Sequence, residues 1–592
     1  MTEDVIWDLG DLYDGPDDPR LKADRDRCLE KADHFAEVYA RKGAHPAPEG
    51  LHEALSRLEK IEETCRRVVS FAYLSFITQT ADPRIGRLWQ SAQELESTVR
   101  RKTLFFSLEW TGLDDPQARS LMEHEMLRSY RHYLERLRAY RPHHLSEPEE
   151  QAMEALSLSS RKAWVDLFDK VIGQAPFGEE ARPLSRVLAD LYHPERERRR
   201  KAALDLSTGL EGILPLVAHI CNALLLDKSL RDDLHFYPHW LRDMNLRNEA
   251  CDDQVEALVH AVTSRYDLVR DYYTLKREIL GIPELWDYDR YAPLPGWPHK
   301  VYTWKEAGEM VLAAFHDFSP EFAQVADLFF QNHWIHAAPI PGKADGAFSH
   351  PTVPSCHPYI SLHFTGTRRD VMTLAHELGH GVHQVLCREQ GLYNSRVPPA
   401  LGEIASVFGE MLVFRRLLER AQTAPERLAI LCGRVEEIFS TTFRQIALHR
   451  FEASLHTERR SHGELTPERI CDLWTSTQQE MFGDSLLLGN HYCVWWAYIP
   501  HFFHYPGYVH AYAFAELTAL SLFEQYERDK LAFVVIYLDL LKRGSSEGPE
   551  EMMKPFGIDL SDPAFFRQGL TIVEDLVREA WKSTIDTSSP RG

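Results

Sequence analysis

Across most of its 592 residues the chain repeats apolar side chains at three- and four-residue spacings between charged ones, and this helical period constrains the fold more than any other feature. Leu51, Ala54, Leu55, Leu58 and Ile61 form one such stripe, and Ala202, Leu204 and Leu206 belong to another. A mainly α protein is expected. Proline and glycine cluster at Gly281 to Pro298 and at Pro339 to Pro358, which read as irregular connections on either side of a helix over Trp304 to Phe318. The second connection leads into Tyr359-Ile360-Ser361-Leu362-His363-Phe364, whose aromatic and β-branched alternation makes it the best strand candidate in the chain.

The formal charge of −22 argues against a nucleic-acid partner, because phosphate binding needs clustered Lys and Arg. The run Arg196-Glu197-Arg198-Arg199-Arg200-Lys201 follows a plausible helix start at His193-Pro194-Glu195 and reads as a solvated helix face rather than a polyanion site. No membrane span is expected: the apolar run near Leu531 to Leu541 is interrupted by Asp539, and a span needs roughly 20 apolar residues. The nine cysteines form no CxxC pair, and the amino terminus is acidic where a secretory leader is basic. A reduced, cytoplasmic chain is the expectation.

The chemistry-bearing segment is Val371-Met372-Thr373-Leu374-Ala375-His376-Glu377-Leu378-Gly379-His380-Gly381-Val382-His383, an HExxH motif inside a helical run. Histidines four apart share one helical face, so both imidazoles can reach one metal ion, and Glu377 beside them can take a proton from a metal-activated water. His376, His380, His383 and Cys387 also make one stripe that a buried, metal-free core helix would show. A catalytic zinc takes three protein ligands, so a third must come from elsewhere. A histidine at position 386 would complete one common pattern, but Leu386 stands there. Downstream, a second helical run after Pro398-Pro399 places Glu403 in its first turn as the natural third ligand. Glu410 lies on the same face two turns on, either orienting a ligand imidazole or sitting as a surface carboxylate.

Taken together, Tyr359 to His383 and Glu403 to Glu410 resemble the M3 family of zinc metallopeptidases, most closely its oligoendopeptidase F branch. Further segments carry the resemblance along nearly the whole chain: Trp7-Asp8-Leu9 with Leu12-Tyr13, Tyr288-Asp289-Arg290-Tyr291-Ala292-Pro293-Leu294, Gly346-Ala347-Phe348-Ser349, and Ile499-Pro500-His501-Phe502. The resemblance implies His376, His380 and Glu403 as Zn2+ ligands and Glu377 as general base. It also implies transition-state donors near the carboxyl end, for which His501, Tyr508 and Tyr512 are the candidates. His510 and Phe514 depart from the branch's Tyr-rich pattern there, and Pro506-Gly507 is a place where that loop can move.

The implied architecture is two helical lobes enclosing a deep channel, with a small β-sheet beside the HExxH helix. Residues 1–195 are read as an N-terminal helical lobe and residues 196–592 as the catalytic domain. The expected function is a zinc-dependent endopeptidase acting on short unstructured oligopeptides. The Tyr359 to Phe364 strand is expected to be the sheet edge that pairs with substrate, with His363 or Tyr359 lining a subsite. Two rivals stand beside this reading: a zinc carboxypeptidase or dipeptidyl carboxypeptidase, and a non-catalytic helical peptide-binding or scaffold protein.

Overall fold

Aspartate followed by proline starts two of the long N-terminal helices. The carboxylate accepts an N–H of the first turn while proline supplies a helical φ and needs no partner for the N–H it lacks. Thus Asp18 accepts from Arg20 N ahead of α1 (Pro19–Tyr39), and Asp82 accepts from Arg84 N ahead of α3 (Pro83–Gly112), with α2 (Pro48–Thr78) between them. The computed structural model describes residues 4–40, 47–157, 159–294 and 300–588. Residues 295–299, at the end of the expected connection to Pro298, lie outside them.

These three helices pack on one another, and the stripe from Leu51 to Ile61 is buried in their shared core. In the second stripe Ala202 and Leu206 are buried, whereas Leu204 is exposed. Residues 202 and 206 lie one turn apart on the same face, and 204 falls on the opposite one.

The chain is predominantly helical, with one small sheet among the described residues. It divides into two compact units. The first comprises Met1–Glu147, Lys300–Arg416 and Leu522–Ile558; the second comprises Pro148–His299, Leu417–Ser521 and Asp559–Gly592. The expected boundary between 195 and 196 falls inside the second unit, at the start of α4 (Arg196–Leu234).

One expectation changes at α4. Arg199 is buried, and together with Arg196 it ion-pairs with the buried Asp289 at 2.9 and 2.7 Å, so part of the basic run turns inward. Gly212 to Leu226 carries no charged residue, and α4 holds a window long and apolar enough to cross a membrane. That window is 44% buried, and Pro215 lies within the helix.

In the first unit, α5 (Trp304–Phe318) spans the expected helix; its capping box pairs Thr303 with Glu306. It packs against α6 (Pro320–Gln331). Three short strands follow: β1 (Ile335–His336), β2 (Phe348–His350) and β3 (Tyr359–Ser361). Their order is β1-β3-β2, with β1 parallel and β2 antiparallel to β3. The strand read from Tyr359 is therefore central rather than an edge. The edges are β1 and β2, too short for any alternation to announce them.

Candidate active site

The HExxH segment lies within α7 (Arg368–Cys387). Its start is set by a capping box in which Thr367 Oγ1 accepts from Asp370 N, and Asp370 accepts from the N–H groups of Thr365 and Thr367. The next helix, α8 (Pro399–Arg420), crosses α7 at glycines. A Cβ on Gly379 would lie 2.4 Å from Ala405 O and 2.7 Å from Ser406 Cα, and one on Gly409 would lie 3.1 Å from Ala375 O. The motif's glycine thus permits a backbone approach that a larger residue forbids, and the approach carries Glu403 to the histidines.

Glu403 Oε2 lies 3.2 Å from His376 Nε2 and 3.1 Å from His380 Nε2, and the donor atoms of all three residues fall within 4.8 Å of one another. Two imidazole nitrogens and a carboxylate oxygen so grouped fit a divalent ion held at about 2.0–2.2 Å from each. Ser406 Oγ donates to Glu403 Oε2 at 3.0 Å and fixes the carboxylate from the next turn. His376 Nδ1 donates to Glu410 Oε1 at 2.6 Å, so Glu410 is an orienting partner and not a surface carboxylate.

Electrostatics follow from this grouping. Burial opposes charge on His376, but the Glu403 and Glu410 carboxylates outweigh it and hold the imidazolium well above its usual range. Burial likewise opposes ionisation of Glu403, yet His380 and His376 hold that carboxyl well below its usual range.

Glu377 is only 4% exposed and its Oε2 has no hydrogen-bond partner. Leaving such an oxygen unsatisfied costs on the order of 1–3 kcal/mol, which marks it for a function other than folding. Burial pushes its carboxyl up, against the lowering pull of His376 and His380. His383 and Cys387 are buried in the core: burial pushes His383 down to about 3 and Cys387 up to about 12.

The sheet is tied to α7 by a residue that sequence reasoning passed over. Ser349 Oγ, on β2, donates to Gln384 Oε1 at 2.7 Å, and Gln384 Nε2 returns a bond to Ser349 O at 3.1 Å. Gln384 follows His380 by four residues, so the helical period of the motif itself pointed to it. Tyr359 is fully buried, its hydroxyl donates to Asp8 O at 2.9 Å and its ring packs edge-on to Trp7, so it lines no subsite. His363 is half-buried with Nε2 donating to Ala344 O.

The carboxy-terminal candidates belong to the second unit and form their own cluster. His501 opens a short helix, His501–His504, while Tyr512 lies in the first turn of α10, counted after α9 (Arg444–His462), with α10 spanning His510–Arg528. Tyr512 Oη stands 3.5 Å from His501 Nε2, and the Tyr508 ring meets that of Tyr512 edge-on at 5.2 Å. Burial, then Arg444 and His504, hold His501 below its usual range.

Gly507, expected as a point of movement, is packed. Its φ is +79°, a Cβ would lie 2.7 Å from Leu241 Cδ1, and its N–H donates to Glu452 Oε1 at 2.8 Å. His510 is buried edge-on to His449, so the departure from a tyrosine pattern is absorbed by the core.

Residues 191–572 match Peptidase family M3, and residues 109–177 match the N-terminal family described as Oligopeptidase F. Oligopeptidase PepF of Bacillus subtilis is 26% identical over 558 residues, covering 90% of this chain and 82% of that protein. A solved structure from Chlamydophila abortus superposes with a TM-score of 0.84 at 24% identity, over 98% of this chain and 99% of that one. The crystal structure of oligoendopeptidase-F from Enterococcus faecium gives 0.73 at 21% identity, over 96% and 98%. At these identities the structural likenesses speak for the fold.

Proposed function

The chain belongs to peptidase family M3, and on that premise we propose that it is a zinc-dependent endopeptidase hydrolysing internal bonds of short, unstructured oligopeptides. The observation that carries the proposal is the meeting of His376, His380 and Glu403 around one point, with the buried, unpartnered Glu377 carboxylate beside them in the motif.

A zinc ion in such a donor set supplies Lewis acidity, acidifying water and polarising a carbonyl. Glu377 takes the proton of the attacking water and delivers it to the departing amine; the upward push of burial on its carboxyl suits both steps. Glu410 keeps His376 in the tautomer that offers Nε2 to the metal. The peptide backbone pairs with the β2 edge, which Gln384 fastens to the motif helix. His501, Tyr508 and Tyr512 take the role that the family resemblance gives them, donors to the oxyanion of the tetrahedral intermediate.

The proposal includes no nucleic-acid or membrane partner and places the chain in a reducing cytoplasm, in keeping with its charge of −22 and nine free thiols. A peptide blocked at both ends, digested and mapped by mass spectrometry, tests the cleavage mode. Internal cuts are expected. Release of only one or two carboxy-terminal residues, and only from unblocked peptides, would replace the reading with a carboxypeptidase. Full metal loading without cleavage would leave a binding or scaffold protein.

A further inference from the structure

Glu452 lies on a buried face of α9, 2% exposed, and reaches the segment that carries the candidate oxyanion donors. Its Oε1 accepts the Gly507 N–H at 2.8 Å, and its Oε2 has no hydrogen-bond partner among the described residues. His456, one turn on, keeps its Nε2 3.8 Å from Oε1, beyond hydrogen-bond reach, and burial holds its imidazole neutral. Burial also pushes the Glu452 carboxyl up to about 8, so near neutral pH it is an uncharged acceptor. A core position filled for packing alone favours an apolar side chain, because a buried carboxyl oxygen without a partner is costly. What the carboxyl supplies here is an acceptor for Gly507.

That bond lies at a turn. Tyr508 N donates to Tyr505 O at 3.1 Å, Pro506 takes the second position and Gly507 the third with φ +79°, the pattern of a type II turn. The closing bond uses the Tyr508 N–H, so the N–H of the buried Gly507 needs an acceptor from outside the turn. Glu452, 55 residues away in the chain, provides it. The turn joins the short helix His501–His504 to α10. Arg161, which opens the helix Arg161–Gln174, ties down the residues just ahead of it: its Nη2 donates to Phe503 O at 3.2 Å and to His504 O at 2.7 Å. Tyr508 follows Gly507 directly. The place of its ring, edge-on to Tyr512 at 5.2 Å, with Tyr512 Oη 3.5 Å from His501 Nε2, therefore follows from how the turn is held.

We propose that Glu452 is a positioning residue for the oxyanion donors: by accepting the Gly507 N–H from within the core it fixes the turn at residues 505–508 and, through it, the placement of Tyr508 beside Tyr512 and His501. The inference rests on the reading of those three as donors. Such donors act in the transition state and only at hydrogen-bond distance from the developing oxyanion, so a displacement on the ångström scale lowers kcat and leaves KM nearly untouched. A carboxamide at position 452 offers the same uncharged acceptor, whereas a leucine offers none.

The test uses the full, zinc-loaded chain and an internally quenched peptide. Glu452→Gln is expected to keep kcat within about threefold of wild type, and Glu452→Leu to lower it about 10–100-fold with KM changed less than about threefold and zinc content unaltered. In a Tyr508→Phe background Glu452→Leu is expected to cost less than about threefold, since the donor it positions is already gone. An undiminished kcat in Glu452→Leu, an equal loss in Glu452→Gln, or the same cost in both backgrounds, which a purely structural role would give, overturns the proposal. Amide exchange across residues 505–511, followed by mass spectrometry, reads the hold on the turn without turnover. Exchange at Gly507 is expected to quicken at least about tenfold in Glu452→Leu and to stay at the wild-type rate in Glu452→Gln. Unchanged protection in Glu452→Leu overturns the proposal. A wild-type chain that cleaves no peptide defeats the hydrolase reading and leaves exchange to decide whether Glu452 holds the turn. If Glu452→Leu fails to fold, Glu452→Asp, which withdraws the acceptor by one carbon, takes its place in every reading.

Discussion

His376 Nδ1 donates to Glu410 Oε1 at 2.6 Å, while the same ring's Nε2 lies 3.2 Å from Glu403 Oε2. One imidazole is thereby held between two carboxylates of a single helix seven residues apart, one at the metal position and one behind it.

Glu410→Gln is expected to weaken metal affinity by about 10–100-fold while leaving the fold intact, since it removes the charge behind the ligand but retains a hydrogen-bond acceptor. Competition for zinc against a chromogenic chelator, with circular dichroism as a folding control, measures it. Unchanged affinity would remove Glu410 from the site.

Glu377→Gln is expected to retain stoichiometric zinc and lose hydrolysis by roughly three orders of magnitude or more. His380→Ala is expected to lose the metal itself. Metal analysis beside a fluorogenic peptide assay separates the two effects, and 1,10-phenanthroline is expected to abolish wild-type activity until zinc is restored.

Gly379→Ala is expected to destabilise strongly, by about 3 kcal/mol or more, because the added carbon meets backbone atoms at 2.4 and 2.7 Å that cannot rotate away. Gly409→Ala meets its nearest backbone atom at 3.1 Å and is expected to cost less. Urea midpoints rank the two, and equal midpoints would refute the role given to the helix crossing.

Tyr359→Phe is expected to cost about 1 kcal/mol of stability through the lost bond to Asp8 O and to leave KM for a peptide unchanged. A raised KM with unaltered stability would return Tyr359 to a substrate subsite.

Acid destabilisation is expected to begin well above the carboxylate range. Burial lowers His350 and His510 to about 4 and His449 to about 3, so between about pH 6.5 and 4 the unfolded chain binds these protons and the folded one does not. Stability therefore falls as pH falls through that window, by roughly 1 kcal/mol per histidine at about pH 5.5. Urea midpoints at about pH 7.5 and 5.5 measure the loss, and His350→Gln is expected to reduce it.

What was legible in the sequence was local. The helix over Trp304–Phe318 and the HExxH helix depend on spacings within one or two turns, and the structure has them; the next helix begins at Pro399, earlier than expected, and puts Glu403 in its second turn rather than its first. The central strand was visible at Tyr359, but its neighbours β1 and β2 span two and three residues and carry no period of their own. That hid which strand was the edge. The inward turn of Arg199 was hidden for a related reason: its partner Asp289 lies 90 residues away, and an arginine bound for a buried acid looks in sequence like one bound for water.

The residues alone thus determined a helical chain and the motif on one helical face, because a helix closes its hydrogen bonds over four residues and its faces follow from counting. Only tertiary packing decided that Gly379 brings α8 against α7, that Glu410 stands behind His376, and that the strand at Tyr359 is central, with β1 and β2 at the edges. Each of those depends on atoms far apart along the chain meeting at a few ångströms, and residue spacing carries no record of which ones meet.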